Sequence, residues 1–255
     1  MNLLIIDGSN VVMRCAFGGE VAPEPAVRTA TNMVERAARE LRATHLILAL
    51  DCPGVPNWRR QLFPDYKAHR TVDTYPWIDA AAKEWSRRDW FIEAIDGYEA
   101  DDLIATLALR AKPRARVTVL SGDTDVLPLV EDNIAIVKPV NGGRFEPVTY
   151  RGVCERYGVR APGRLVDLKA LTGETGDNVP GVDGIGPVRA QKLLGIYECL
   201  EGVIDAGVRN ACKFSVRVAA AADIARLSYR LVSLVRNAPI EPIAPAHCIF
   251  AGGAA

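Results

Sequence analysis

The sequence predicts an α/β fold with a mostly parallel sheet, followed by a smaller all-helical region. Three observations carry that expectation. Short β-branched or aliphatic runs, LLII at 3–6, LILAL at 46–50 and VTVL at 117–120, alternate with segments whose apolar residues recur at helical intervals. Each of these runs is followed within three residues by an aspartate: Asp7, Asp51 and Asp123. Beyond about residue 160 the strand-like runs stop, and glycine-rich turns link helical segments.

The elements follow in order. Leu3 to Ile6 make a first strand, and Asp7-Gly8-Ser9-Asn10 a turn. A helix is expected from about Pro25 to Leu41, with Val27, Ala30, Met33, Val34, Ala37 and Leu41 on its inner face. Leu46 to Leu50 form a second strand. Next comes a stretch mixing aromatic and cationic side chains: Trp58, Arg59, Arg60, Phe63, Tyr66, Lys67, His69, Arg70, Tyr75 and Trp77. Such a mixture can stack on bases and grip phosphates, or pack as a surface loop on the core. A helix follows from about Trp77 to Trp90, its tryptophans being further candidate core anchors.

Leu103, Ile104, Leu107 and Ala108 place a helix start near Asp101, and Val117 to Leu120 a buried strand. Ile134 to Val137 read as a strand, and Tyr150–Tyr157 and Arg164–Leu171 as helices. Gly184-Ile185-Gly186 with Pro187 at a helix start presents free backbone N–H groups to an anion. Lys213 to Asn237 read as one long helix, and residues 239–255 as a docked or loose tail without a catalytic role.

The 255 residues, 49% of them hydrophobic, suffice for one large domain with a small appended module. No run of eighteen apolar residues is present, so no membrane span is expected. Nor does a basic region precede an apolar core at the N-terminus; no secretory signal is expected, and little to have been removed. Six scattered cysteines without a CxxC pair favour neither a disulfide framework nor a zinc site, and suggest a reduced cytoplasm. Net charge is zero, yet nine acids (7, 51, 99, 101, 102, 123, 125, 174, 177) are site candidates. Without them 31 basic residues face 22 acidic ones, so the remaining surface can hold phosphate.

Glu99, Asp101 and Asp102 stand at a helix start, and Asp123 and Asp125 just past a strand. Taken singly, the first group could be caps and the second a turn. If the three strands ending in aspartate are parallel neighbours, however, Asp7, Asp51 and Asp123 converge at the carboxyl ends, where open α/β sheets place their sites. Clustered carboxylates raise one another's pKa, and a polyvalent cation removes the conflict. Oxygen donors without His or Cys favour Mg²⁺ or Mn²⁺.

The order of motifs resembles a known family. Asp7-Gly8-x-Asn10-x3-Arg14 is followed by Asp51, Tyr66-Lys67-x2-Arg70 and Tyr98-Glu99-Ala100-Asp101-Asp102. Then come Asp123-x-Asp125 and Leu171-Thr172-Gly173-x3-Asp177-Asn178-x-Pro180-Gly181-Val182-x-Gly184-Ile185-Gly186. Over residues 2–235 this is similar to the 5′-nuclease (flap endonuclease) superfamily, especially the 5′-nuclease domain of bacterial DNA polymerase I and stand-alone, exonuclease IX-like proteins.

The resemblance implies a PIN-like catalytic domain over 1–160, with a helical arch at about 58–95, and a helical C-terminal domain over 161–238 with a helix-hairpin-helix module. It also implies two-metal, Mg²⁺-dependent hydrolysis of DNA phosphodiesters at 5′ flaps or single-strand/duplex junctions, with Mn²⁺ able to substitute. Asp7, Asp51, Glu99, Asp101 and Asp102 match the first metal cluster. Asp123, Asp125, Glu174 and Asp177 match the second. Lys67 and Arg70 match contacts to the scissile phosphate and, with Asp101 and Asp123, are the expected catalytic groups. Arg14, Tyr66, Gly184, Ile185, Gly186, Arg189 and Lys192 are the further expected DNA contacts. Backbone carbonyls of Val182 and Ile185 are an expected K⁺ site. A monomer is expected; a polymerase or single-strand-binding partner is not identified. One position departs: the family pattern GDxxDN reads GETGDN here, so Glu174 is one methylene longer and a shifted or weaker second metal is expected. Two rivals remain open, a PIN-type ribonuclease and a flap-DNA-binding protein with reduced catalysis.

Overall fold

The computed structural model describes residues 1–17, 22–52 and 55–253; Ala254 and Ala255, the end of the expected tail, lie outside them. The chain divides into two compact units. A sheet unit takes Met1–Trp58, Val72–Val148 and Leu234–Ala255, and a helical unit takes Arg59–Thr71 and Thr149–Ser233. Of the segment read as an arch, residues 59–71 group with the helical unit and 72–95 with the sheet unit, which also takes the segment read as a tail.

Among the described residues of the sheet unit, one six-stranded sheet forms in the order β3-β2-β1-β4-β5-β6. These are β1 (Asn2–Asp7), β2 (His45–Ala49), β3 (Phe91–Glu93), β4 (Arg116–Leu120), β5 (Ile134–Pro139) and β6 (Phe145–Val148). All pairings are parallel except β5 with β6. Leu3 to Ile6 are buried on both faces, which is why β1 reads as an unbroken apolar run. The edge strands β3 and β6 escaped the sequence reading. Both are short and only partly buried, and Pro147 suits an edge because it offers no N–H to a further neighbour.

Helices α1 (Gly8–Phe17), α2 (Pro23–Glu40), α4 (Tyr75–Ser86) and α5 (Ala100–Ala111) belong to this unit; α3 (Trp58–Leu62) begins at its boundary. The expected turn after Asp7 is instead the start of α1. The Asn10 amide donates to Asp7 Oδ1 at 3.0 Å, so the aspartate caps the helix directly. Gly8 is required there, because a Cβ would lie 2.9 Å from the Ala49 carbonyl. Helix α4 stops at Ser86 rather than Trp90, since Asp89 takes a left-handed φ of 56° to turn the chain into β3. Trp85 is fully buried, and its indole donates to Thr31 Oγ1 at 2.9 Å. It packs with Leu4, Ile6, Val12, Val34 and Leu48, a core anchor rather than a stacking platform.

Residues 235–250 are docked within the sheet unit. Thr106 Oγ1 donates to the Val235 carbonyl and accepts from the Ala238 amide, both at 3.1 Å. Arg110 donates to the Ala238 and Ile240 carbonyls, and the Phe250 amide to the Thr44 carbonyl. None of the described helices is long and apolar enough to cross a membrane.

The helical unit contains α6 (Tyr150–Tyr157), α7 (Leu165–Thr172), α8 (Pro187–Tyr197), α9 (Leu200–Val208), α10 (Lys213–Ala220) and α11 (Ala222–Val232). The single helix expected over 213–237 is two, broken at Ala221 (φ −111°, ψ 26°), and the chain leaves helical geometry at Ser233. The physical reason is a choice of partners: α10 packs on α9, and α11 on α7. Helix α9 was not expected, and Gly207 lets it close on the Ser215 backbone.

Residues 59–71 also proved structural in part. Arg59 is buried, donating to the Leu231 carbonyl at 2.8 Å and the Ser233 carbonyl at 2.9 Å. Arg60 donates to the Tyr66 and Lys67 carbonyls. Tyr66, Val179 and Leu231 form a small core with Leu62, Phe63 and Leu227. The cations and aromatics of this stretch therefore divide between fold and surface.

Candidate active site

In the sheet unit, β2, β1 and β4 are parallel neighbours. Asp7 ends β1, while Asp51 and Asp123 follow β2 and β4 closely, so all three lie at the carboxyl edge. Polar side chains organise them. Ser121 Oγ donates to Asp7 Oδ2 at 2.6 Å and accepts from the Asp123 amide at 3.0 Å. Ser9 Oγ accepts from the Asp51 amide at 2.9 Å, and Asn10 Oδ1 from the Gly122 amide at 2.9 Å. Ser9, Asn10 and Ser121 were missed as site residues, although Asn10 stands in the motif Asp7-Gly8-x-Asn10; the signal for the two serines was their place beside the aspartates in DGSN and LSGD.

Burial pushes the Asp7 carboxyl up to about 7, and the charges of Asp51 and Asp123 push it the same way. Hydrogen bonds from Ser121 and Asn10 oppose them but do not prevail. Burial being the main cause, the Asp7 carboxyl stands between its neutral and charged forms near pH 7.

The N-terminus of α5 brings further acids. Asp51 Oδ1 accepts from the Ala100 amide at 2.8 Å, tying the β2 aspartate to the helix start. Glu99 is the N-cap and forms a reciprocal capping box with Asp102. Asp102 is fully buried, and its oxygens accept from three N–H groups. The Trp58 indole (3.0 Å) and the Glu99 amide (3.4 Å) reach Oδ2, and the Val235 amide (2.8 Å) reaches Oδ1. Asp101 stands in the same first turn, half-buried. Asp123 is exposed, and its Oδ1 accepts from the Asp125 amide at 2.9 Å, so the DxD is a local turn as well as a carboxylate pair. Arg14 is exposed in the last turn of α1.

In the helical unit, buried Asp177 collects three partners from the 59–71 segment. Arg70 pairs with Oδ1, Lys67 Nζ lies 3.5 Å from Oδ2, and the Tyr66 hydroxyl donates to Oδ2 at 3.3 Å. Lys67 takes a left-handed φ of 52°, and its amide donates to the Asp177 carbonyl at 3.0 Å. The two expected phosphate-contacting cations therefore lie together on one carboxylate. Glu174 has its own cation: Lys169 Nζ is 3.1 Å from both carboxylate oxygens.

The glycine-rich turn is built as its sequence implies. Gly181 and Gly184 take φ of 65° and 72°, and the side chains of Val182 and Ile185 are buried. The Val182 carbonyl accepts from the Ile185 amide at 3.0 Å. Pro187 opens α8, Arg189 donates to the Gly184 carbonyl at 2.6 Å and stacks 4.6 Å from the Phe214 ring, and Lys192 is exposed.

The charge-neutral chain is polarised between its units. The helical unit carries 16 basic and 10 acidic residues, a surplus of six positives, and the sheet unit 15 basic and 21 acidic, a surplus of six negatives.

An α/β unit with acids along the carboxyl edge of its sheet, together with a cationic helical unit, defines a class of acid-site, phosphate-handling proteins, and sequence models specify the family. The 5′-3′ exonuclease N-terminal resolvase-like domain matches residues 2–158, and the 5′-3′ exonuclease C-terminal SAM fold matches residues 160–249. The chain belongs to the 5′-3′ exonuclease family.

A 5′-3′ exonuclease of Bacillus subtilis (strain 168) is 33% identical over 217 residues, 80% of this chain and 73% of that protein. DNA polymerase I of Bacillus caldotenax is 33% identical over 256 residues, 94% of this chain but only 28% of the polymerase. Among solved structures, T5 5′-exonuclease with bound divalent metal ions (zinc) has a TM-score of 0.80 at 22% identity, covering 93% of this chain and 91% of that one. The catalytic core of Rad2 in complex with DNA substrate has a TM-score of 0.59 at 16% identity, covering 98% and 82%. These two likenesses speak for the fold.

Proposed function

We propose that this chain is a structure-specific 5′ nuclease that hydrolyses DNA phosphodiesters at 5′ flaps or single-strand/duplex junctions, using two divalent ions, Mg²⁺ foremost. The observation that carries the reading is the convergence of Asp7, Asp51 and Asp123 at one sheet edge, with the Asp7 carboxyl raised to about 7. The donor set fits hard cations: carboxylates from strand ends and a helix start, without His or Cys. Asp7, Asp51, Glu99 and Asp101 are the proposed ligands of one ion. Asp123, Asp125, Glu174 and Asp177 are proposed ligands as well, matched to the family's second cluster. When bound, such ions supply a water of lowered pKa and neutralise charge on the attacking and leaving oxygens.

The chain's own groups do the rest. Asp102, matched to the first cluster as well, has its oxygens taken by three N–H donors and holds the α5 start that carries Glu99 and Asp101. Lys67 and Arg70 place positive charge for the phosphate, and Tyr66 orients the carboxylate they share. Arg14, Arg189, Lys192 and the Gly184 and Gly186 amides of the Gly184-Ile185-Gly186 turn hold the sugar-phosphate backbone, the Ile185 amide being engaged by the Val182 carbonyl, with a K⁺ on the carbonyls of Val182 and Ile185. The positive surplus of the helical unit supports a nucleic-acid role for it. All six cysteines are free thiols, in keeping with a reducing cytoplasm.

The test is cleavage of 5′-flapped DNA with Mg²⁺ or EDTA. Asp101→Asn and Asp123→Asn should each lower the rate at least about a hundredfold, since even losing an outer partner of a metal ligand costs about 10–100-fold. Equal cleavage by variant and parent would defeat the proposal. Faster cleavage of single-stranded RNA than of flapped DNA would replace it with the ribonuclease reading.

A further inference from the structure

We propose that Lys169 is a positioning residue that sets how tightly a divalent ion is held through Glu174. This rests on the assignment of Glu174 as a ligand. Glu174 is where the chain departs from its family's motif, and the structure shows where the extra methylene goes. The Glu174 backbone is fixed: its amide donates to the Val179 carbonyl and its carbonyl accepts from the Val179 amide, both at 3.0 Å. Gly173 before it is left-handed (φ 72°), with its amide on the Lys169 carbonyl at 2.8 Å. From this pinned Cα the side chain reaches Lys169, whose Nζ stands 3.1 Å from each carboxylate oxygen.

The pair is partly desolvated, with side-chain exposures of 16% for Lys169 and 28% for Glu174, so its attraction is screened less than that of a surface pair. An ion approaching Glu174 therefore meets a carboxylate already balanced by a fixed cation. At the sheet edge Asp7 instead takes neutral donors, Ser121 Oγ at 2.6 Å and the Asn10 amide at 3.0 Å. The two ions should differ in affinity, the one bound through Glu174 being weaker, with Lys169 as one cause beside the Lys67 and Arg70 charges on Asp177.

The experiment is a Mn²⁺ titration of the full chain without DNA, followed by electron paramagnetic resonance and calorimetry. Two binding steps are expected, one of them weakened by Glu174→Gln. Lys169→Met, with Lys169→Gln as a second neutral variant, should strengthen that same step about tenfold. That is the size expected for removing one unit charge a few ångströms from a divalent ion at high effective dielectric. The other step should stay within about twofold, and Lys169→Arg should behave as the parent. If Glu174→Gln weakens one step but neither neutral variant strengthens it, the role of Lys169 is overturned while the ligand assignment stands. If Glu174→Gln and Asp177→Asn both leave the two steps unchanged, the ligand assignment fails and this inference falls with it.

Discussion

At Asp7 a single carboxyl closes a strand, caps a helix and faces two other acids. Its ordinary value of 3.8 applies to the unfolded chain, and burial with like charge raises it to about 7 in the fold. Between those values the folded protein binds more protons than the unfolded chain. Without metal, stability should therefore fall as pH rises from about 4 to about 7, then level off. Asp7→Asn keeps the acceptor for Asn10 and removes the charge. The variant should gain on the parent through that window, by at most about 4 kcal/mol at pH 8, at about 1.4 kcal/mol per pH unit of displacement. Denaturant melts in EDTA at pH 4.5 and pH 8 measure it, and identical pH slopes in the two proteins would refute the buried charge. Asp7, Asp51 and Asp123 were legible as a group because each follows an apolar run. The work of Asp102 was not legible: an acid in a first helical turn reads alike whether it faces solvent or, as here, the Trp58 indole and the Val235 amide.

Among the elements, the glycine-rich turn and the last helices show opposite degrees of legibility. Gly181 was readable because its geometry is local. Its φ is 65°, and an added Cβ would lie 2.3 Å from the Gly173 amide nitrogen, a backbone atom that cannot step aside. Gly181→Ala should cost at least about 2 kcal/mol, combining left-handed strain with the clash. Gly176→Ala, where a Cβ meets nothing within 4 Å, is the control and should leave the melting temperature nearly unchanged. Equal melting temperatures for the two variants would show that the close approach to Gly173 is not needed. The break at Ala221 was not readable. Residues 213–237 contain no proline or glycine to mark a stop, and intrinsic propensity favours continuing. What decides is that α10 seats on α9 and α11 on α7, a choice made by packing.

For the whole molecule, zero net charge conceals a division into six surplus positives on the helical unit and six surplus negatives on the sheet unit. A cationic unit that neutralises about six phosphates loses about a thousandfold in DNA affinity between 50 and 200 mM salt. That fall is the expected result for flapped DNA measured by fluorescence anisotropy with Ca²⁺ in place of Mg²⁺. A salt-independent affinity would mean that the charge division serves something other than a phosphate backbone. The four inner strands, the acids after them and the motifs of the family were legible in the linear chain, because periodicity and turn chemistry act over a few residues. How far Asp7 holds its proton, which cations are tied to Asp177, and how residues 59–71 and 234–253 group with distant segments were settled by folding. Burial and pairing depend on neighbours more than a hundred positions away, as Arg59 with Leu231 and Asp102 with Val235 show, and no local pattern encodes them.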